Sequence, residues 1–165
     1  MSGQLSYGYQ TPKGIPGGLV DINAYSIDSR VNDEASPDVM KFGMGAMRGS
    51  VPGTNVLVPA AGMTAEEFEG VIMTGFTNQR NMAGDVMIHP LQTVGILRWG
   101  RAWVRVDPAV TPAYGDPLYL ITAAGDTRGM FTNDPSGNLA INGRFIGGLG
   151  TGSVAPVVIY NQKAE

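Results

Sequence analysis

Short apolar segments separated by turn signals recur along the chain from about residue 43 onward, at intervals of roughly ten residues. This spacing predicts an all-β fold, because a short strand and its turn together occupy about that length. The 24 glycines and 11 prolines of the 165-residue chain suit many tight turns and few long helices. We therefore predict an all-β sandwich or barrel. The predicted strands lie near residues 42–48, 54–58, 68–76, 92–98, 101–106, 117–122, 128–132, 142–149 and 154–160.

Residues 1–42 differ from the rest, because Gly, Pro, Ser and Asn are scattered among single aromatic residues with few alternating apolar runs. We predict an extended N-terminal arm over residues 1–42 and one β domain over residues 43–165. Apolar side chains interrupted by glycines suggest that the arm lies on a protein surface. The arm residues that we expect at a protein contact are Tyr7, Tyr9, Ile15, Leu19 and Tyr25.

Composition and charge exclude several classes of protein. The chain has no cysteine, so neither a disulfide scaffold nor a thiol nucleophile is possible. A net charge of -3 with only three lysines argues against coating nucleic acid, which requires a dense basic field. The N-terminus resembles no signal peptide, and no apolar stretch approaches the roughly 18 residues that would span a bilayer. We expect synthesis in the cytosol and no direct contact with nucleic acid or membrane.

The stretch "RWGRAWVRV" at residues 98–106 contains both tryptophans and three of the eight arginines. In a strand, successive side chains point to opposite faces, so Arg101, Trp103 and Arg105 share a face and small or β-branched residues form the core face. An exposed tryptophan leaves a large apolar surface in water. Three coverings are open: the arm or a loop of the same chain, another protein subunit, or nucleic acid.

The residue groups that carry enzyme chemistry are sparse. His89 is the only histidine, and no Gly-x-Ser-x-Gly motif is present to position a serine nucleophile. The glycine-rich segments at 43–49 and 147–153 do not match a phosphate-binding motif. Glu66, Glu67 and Glu69 lie close together, and we interpret them as a solvated rim. Glu67 could also form a capping box with Thr64 on a short helical turn. We predict no catalytic residue, metal or cofactor, and no enzyme.

A longer motif, "GRAWVRVD" followed by "AVTPAYGDPLYLI", resembles the core signature of bacteriophage structural cement (capsid decoration) proteins. The segment "GYQTPKGIPGGLVDINAYSIDSRVN" resembles their N-terminal arm. Residues 142–145 and the closing "VAPVVIYN" resemble their C-terminal end. The resemblance covers most of the chain except residues 60–85.

The resemblance implies an antiparallel β-sandwich or jelly-roll-like barrel with an extended N-terminal arm. It also implies a virion structural protein on the outer capsid surface, synthesised in the host cytoplasm. Such a protein would bind the major capsid protein, stabilise its lattice and form a homotrimer. The interface residues that we predict in the β domain are Arg101, Trp103 and Arg105. The alternative is a carbohydrate-binding or receptor-binding β-module of a phage tail or spike, in which Trp99 or Trp103 would stack on a sugar.

Overall fold

The computed structural model describes residues 14–75, 79–150 and 152–160, which form nine β-strands and one short 3₁₀ helix. No helix in these ranges is long and apolar enough to cross a membrane. The all-β prediction is confirmed. The strands are β1 (Ser26–Asn32), β2 (Gly45–Arg48), β3 (Asn55–Leu57), β4 (Phe68–Ile72), β5 (Thr93–Arg105), β6 (Pro117–Leu120), β7 (Phe131–Thr132), β8 (Leu139–Phe145) and β9 (Val154–Ile159).

Five strands close into a barrel in the order β1-β3-β2-β4-β5, and β5 pairs back onto β1. Four of the five pairings are antiparallel, and β1 with β3 is the parallel one. A closed ring leaves no unpaired strand edge at which another chain could add a strand. The predicted antiparallel character therefore holds for most of the barrel.

The remaining strands extend from β5 in the order β5-β9-β8-β6-β7, all antiparallel. A parallel bridge between Val106 and Phe131 brings the start of β7 back beside the C-terminal end of β5. The 13-residue strand β5 thus belongs to both parts: its first half lies in the barrel and its second half pairs with β9. Neither a sandwich nor a jelly-roll arrangement is confirmed.

Two apolar clusters fill these two parts. One combines Ala46, Val56, Ile72 and Ile96 from four barrel strands. Ile72 and Ile96 are register partners, and partners across an antiparallel pair point to the same side of the sheet. This cluster therefore occupies the barrel interior. The larger cluster contains barrel residues of the opposite face together with the inward residues of the second sheet, and so joins the two parts.

Two sequence-based expectations need correction. The strands expected at 92–98 and 101–106 are one continuous strand, because Gly100 does not end it. Gly100 has φ +133, and an added Cβ would lie 2.7 Å from Cβ of Tyr25, so the glycine allows a close approach within a continuing strand. Part of the expected arm, residues 26–32, forms β1, which is one strand of the barrel wall. The division of the chain at residue 42 stays a prediction.

The short helical turn is Ala65–Glu67, and the capping box is confirmed. The carboxylate of Glu67 accepts a hydrogen bond of 2.8 Å from the backbone N–H of Thr64. This turn leads into β4 and positions the residues that follow it.

Candidate protein interface

The second half of β5 has the alternation that the sequence predicts. Ala102 and Val104 are fully buried, whereas Arg101 is exposed and Trp103 and Arg105 are half-buried. The Arg-Trp-Arg face is therefore the outer face of this half-strand. Its position depends on β9, which pairs with one edge of β5 from Gly100 to Arg105.

The chain's own segment 14–20 occupies the other edge of this half-strand. The backbone N–H of Trp103 donates to the carbonyl of Gly18 at 2.8 Å, and its carbonyl accepts from the N–H of Gly17 at 2.7 Å. The N–H of Val20 donates to the carbonyl of Arg101 at 3.1 Å. A Cβ added to Gly14 would overlap the indole ring of Trp103, so the backbone at Gly14 lies directly against the ring. The chain's own segment 14–20 therefore covers part of Trp103, which is the first of the three coverings considered from the sequence.

The three arginines of the stretch have different partners. Arg98 binds Glu69 with Nη1 to Oε2 at 2.7 Å, and Arg101 binds Asp21 with Nη1 to Oδ2 at 2.7 Å. Arg105 instead donates from Nε to the backbone carbonyl of Phe42 at 2.9 Å. Burial lowers the pKa of Arg105 below its ordinary value, and the negative charge of Asp85 acts in the opposite direction. Arg105 is thus fixed without a carboxylate partner in the described parts of the chain.

The predicted contact residues of the arm have different environments. Ile15 and Tyr25 are exposed, and Leu19 is half-buried against the larger apolar cluster. Tyr7 and Tyr9 lie outside the described residues. Two further exposed apolar residues, Ile22 and Ile27, were not among the predicted contacts. The sequence does indicate them, because both lie in the apolar segment of the arm that lacks the alternation of a regular strand.

The interpretation of all three clustered glutamates as a solvated rim is wrong for Glu69. Its side chain is 10% exposed and lies between Arg98 and Arg48, whose Nε is 3.7 Å from Oε1. Asp28 of β1 adds a contact with Arg98 at 3.6 Å and one with Arg30 at 2.9 Å. These five residues form an ion-pair network that joins β1, β2, β4 and β5 at the barrel. The role of Glu69 is therefore structural.

The ligand chemistry of the described residues is limited. Within residues 14–75, 79–150 and 152–160, no group of three or more His, Asp or Glu residues is placed to hold a metal ion. Trp99 and Trp103 are both half-buried, and the backbone at Gly14 lies against the ring of Trp103. The alternative of a carbohydrate-binding module is not favoured.

A family model described as "Structural cement protein (E217 gp24/Pam3 gp6)" matches residues 4–160. The chain belongs to this family. Membership agrees with the resemblance in the sequence and supports a structural role in the phage virion. It also favours a non-enzymatic protein, since the family is one of structural proteins.

The fold has a solved counterpart. A chain in the structure "The capsid of Myoviridae Phage XM1" matches with a TM-score of 0.73 and 17% sequence identity. The match covers 98% of this chain and 99% of that chain. At this identity the similarity establishes the shared fold. No curated protein matches the chain.

Proposed function

We propose that the chain binds the outer surface of a phage capsid through the major capsid protein and stabilises its lattice, acting as a homotrimer. The observation that carries this proposal is the family match over residues 4–160. The proposal needs no catalysis. It needs a rigid domain and a surface that gains free energy by being covered.

Residues 15–27, which run beside β5, supply such a surface. Ile22 is 98% exposed and Ile15 is 62% exposed, and Tyr25 and Ile27 also reach solvent. Covering apolar surface contributes roughly 25 cal/mol per Å² before the costs of association are subtracted. Several large apolar side chains on one short segment are therefore typical of an interaction site. The backbone bonds of residues 17–20 to β5 hold part of this segment in place before any partner arrives.

Stabilisation of a shell follows from mass action. A protein that binds the assembled lattice and not its separated subunits shifts the equilibrium toward the lattice by its binding free energy. Many copies on one particle multiply the effect, and linkage within a trimer raises the effective concentration of each contact. Modest binding by each subunit is then sufficient to protect a head.

The test uses phage heads prepared without this protein. Adding the purified chain should produce co-sedimentation with the heads and a higher temperature of DNA release. Ile22→Asp should weaken co-sedimentation about tenfold, because it places a charge in an apolar contact. Val51→Asp changes an exposed apolar residue in the loop between β2 and β3 and is the matched control, with binding unchanged.

Two results would separate the parts of the proposal. A wild-type chain that leaves the heads unbound and no more heat-resistant would contradict capsid stabilisation. Analytical ultracentrifugation that finds only monomers at every concentration, with heads still bound, would contradict the homotrimer alone. Thermal melting of each variant checks that lost binding does not come from lost folding.

A further inference from the structure

A small polar pocket of about 360 Å³ lies beside the C-terminal end of β5. It is bounded by residues 38–44 before β2 and by residues 125–130 before β7. Its charged lining consists of three cations and two carboxylates: Lys41, Arg105, Arg128, Asp38 and Asp126. The lining side chains thus carry a net charge of 3 − 2 = +1. Val39, Met44 and Met130 supply apolar wall beside these charges.

Arg105 is held in this pocket at two points. Its side-chain Nε donates to the carbonyl of Phe42 at 2.9 Å, and its backbone N–H donates to the carbonyl of Gly43 at 2.8 Å. Within the described ranges, Nη1 and Nη2 of Arg105 have no hydrogen-bond partner, and neither is a buried unsatisfied atom. The outer end of the guanidinium is therefore fixed, accessible and unused.

The other cations of the pocket are also available. The ion pairs among described residues use Arg30, Arg48, Arg98 and Arg101, and include neither Lys41, Arg105 nor Arg128. Asp38 and Asp126 line the same pocket without forming an ion pair with these cations, again within the described residues. Three cations that form no ion pair among the described residues thus lie in one small concavity, and Asp85 acts on Arg105 only through its charge. Such a site is suited to an anion supplied from outside.

We propose that this pocket binds the carboxylate of an aspartate or glutamate side chain from a neighbouring protein chain. The two Nη groups of a guanidinium match the two oxygens of a carboxylate, and a guanidinium already held in place loses little freedom on binding. The apolar wall can cover the methylene groups of the incoming side chain. Asp38 and Asp126 disfavour a dianion such as phosphate, because they offset most of the positive charge.

This proposal rests on the proposed function for the identity of the neighbour, which is either the shell protein or a second copy of this chain. The carboxylate chemistry is the same in both cases. Co-sedimentation with heads tests the first source, and self-association in ultracentrifugation tests the second.

Arg105→Lys keeps the positive charge and removes the two Nη groups that would bind the two carboxylate oxygens. It should weaken the association that uses the pocket about tenfold or more, the scale of a charge-assisted hydrogen bond lost. Arg128→Gln lowers the charge of the pocket without touching the contact with Phe42, and should weaken the same association several-fold even if Arg105→Lys folds poorly. Arg144→Lys, at an exposed arginine of β8 outside the pocket lining, is the control and should leave association unchanged.

A direct measurement uses the isolated full chain labelled with ¹⁵N. Titration with sodium acetate at constant ionic strength, balanced by sodium chloride, should shift the Nε–H signal of Arg105 and leave that of Arg101 in place. If the Arg105 signal shifts but the wild-type chain neither binds heads nor self-associates, the proposed function fails and the carboxylate site stands. If wild-type and both pocket variants associate equally and the Arg105 signal does not move, the site is overturned and the proposed function stands.

Discussion

The two halves of β5 carry the same kinds of residue and use them differently. In the barrel half, β1 and β4 pair with the two edges of the strand, and Arg98 is bound to Glu69. In the outer half, β9 pairs with one edge and the irregular segment 14–20 covers the other. There Arg101 is paired with Asp21 at an exposed position, and Arg105 is bound only to a backbone carbonyl among the described residues.

The difference follows from closure. In the barrel half, the charged groups find their partners among neighbouring strands of the same ring, as Arg98 does with Glu69 and Asp28. A half-strand outside the ring can leave donors and apolar surface for another chain. The barrel half is therefore the rigid support, and the outer half with its covering segment carries the groups that remain available for contact.

The largest expected effect breaks the barrel itself. Gly70 in β4 has φ +143, and an added Cβ would lie 2.1 Å from the carbonyl oxygen of Leu97 in β5. Gly70→Val should cost about 4 kcal/mol of unfolding free energy or prevent folding, since backbone strain and overlap with a backbone atom add together. Urea unfolding followed by circular dichroism measures it.

Gly53→Ala is the control for that change. Gly53 also has a positive φ of +78, but nothing lies within 4 Å of an added Cβ. Its expected cost is about 1 kcal/mol, from backbone strain alone. Equal losses in the two variants would mean that the approach of β4 to β5 does not limit the barrel.

The next effect tests the outer half. Trp103→Ala should lower the unfolding free energy of the isolated chain by about 2 kcal/mol, roughly half the cost of truncating a fully buried aromatic residue, because Trp103 is half-buried against the chain's own segment. Trp103→Phe should recover most of the loss. Unchanged melting of the alanine variant, with association lost, would show that a neighbouring subunit supplies the main cover.

The sequence predicts the outer half of β5 better than it predicts β1, for a physical reason. At 101–106 one face is buried and apolar and the other is not, so the alternation is visible in the residues. In β1 the register pairs Asp28 with Ile96 and Arg30 with Val94, so charged side chains take positions on the interior side of the barrel. The alternation expected of a strand requires apolar residues on the core side, so the residues of β1 fall within the predicted arm.

The missed features of the site share one cause. Glu69 binds Arg98 across 29 positions of the chain, and Arg105 binds Phe42 across 63. Such pairs depend on which strands become neighbours, which local periodicity does not encode. The sequence did indicate Arg101, Trp103 and Arg105 as one outer face, and the fold confirms that alternation. Their part in a protein interface stays a prediction.

A smaller effect concerns the barrel network. Glu69→Gln keeps the shape of the side chain and removes the charge between Arg98 and Arg48, at an expected cost of about 1 to 2 kcal/mol. The cost stays below that of a fully buried pair because both arginines are more than a third exposed and can be hydrated. Asp21→Asn weakens the exposed pair with Arg101 and should cost about 0.5 kcal/mol or less. Equal losses would remove the distinction between the two halves of β5.

The smallest effect is a response to acid that both parts of the fold should share. The backbone N–H of Ser50 donates to Asp33 beside the barrel and lowers its pKa, with the Ser50 hydroxyl and Asn55 adding to the effect. In the second sheet region, the backbone N–H of Ala113 and the amide of Asn133 lower the pKa of Asp116.

A carboxylate whose pKa is lower in the folded state stabilises the fold fully above its unfolded value, near 3.8, and loses that contribution as the pH falls through the folded pKa. Stability should therefore decline below about pH 4, and Asp33→Asn and Asp116→Asn should each flatten the decline. Urea unfolding at a series of pH values measures this, with the wild-type chain as the reference. A flattening by Asp33→Asn with none by Asp116→Asn would show that the carboxylate beside the barrel contributes to the acid response and that Asp116 does not.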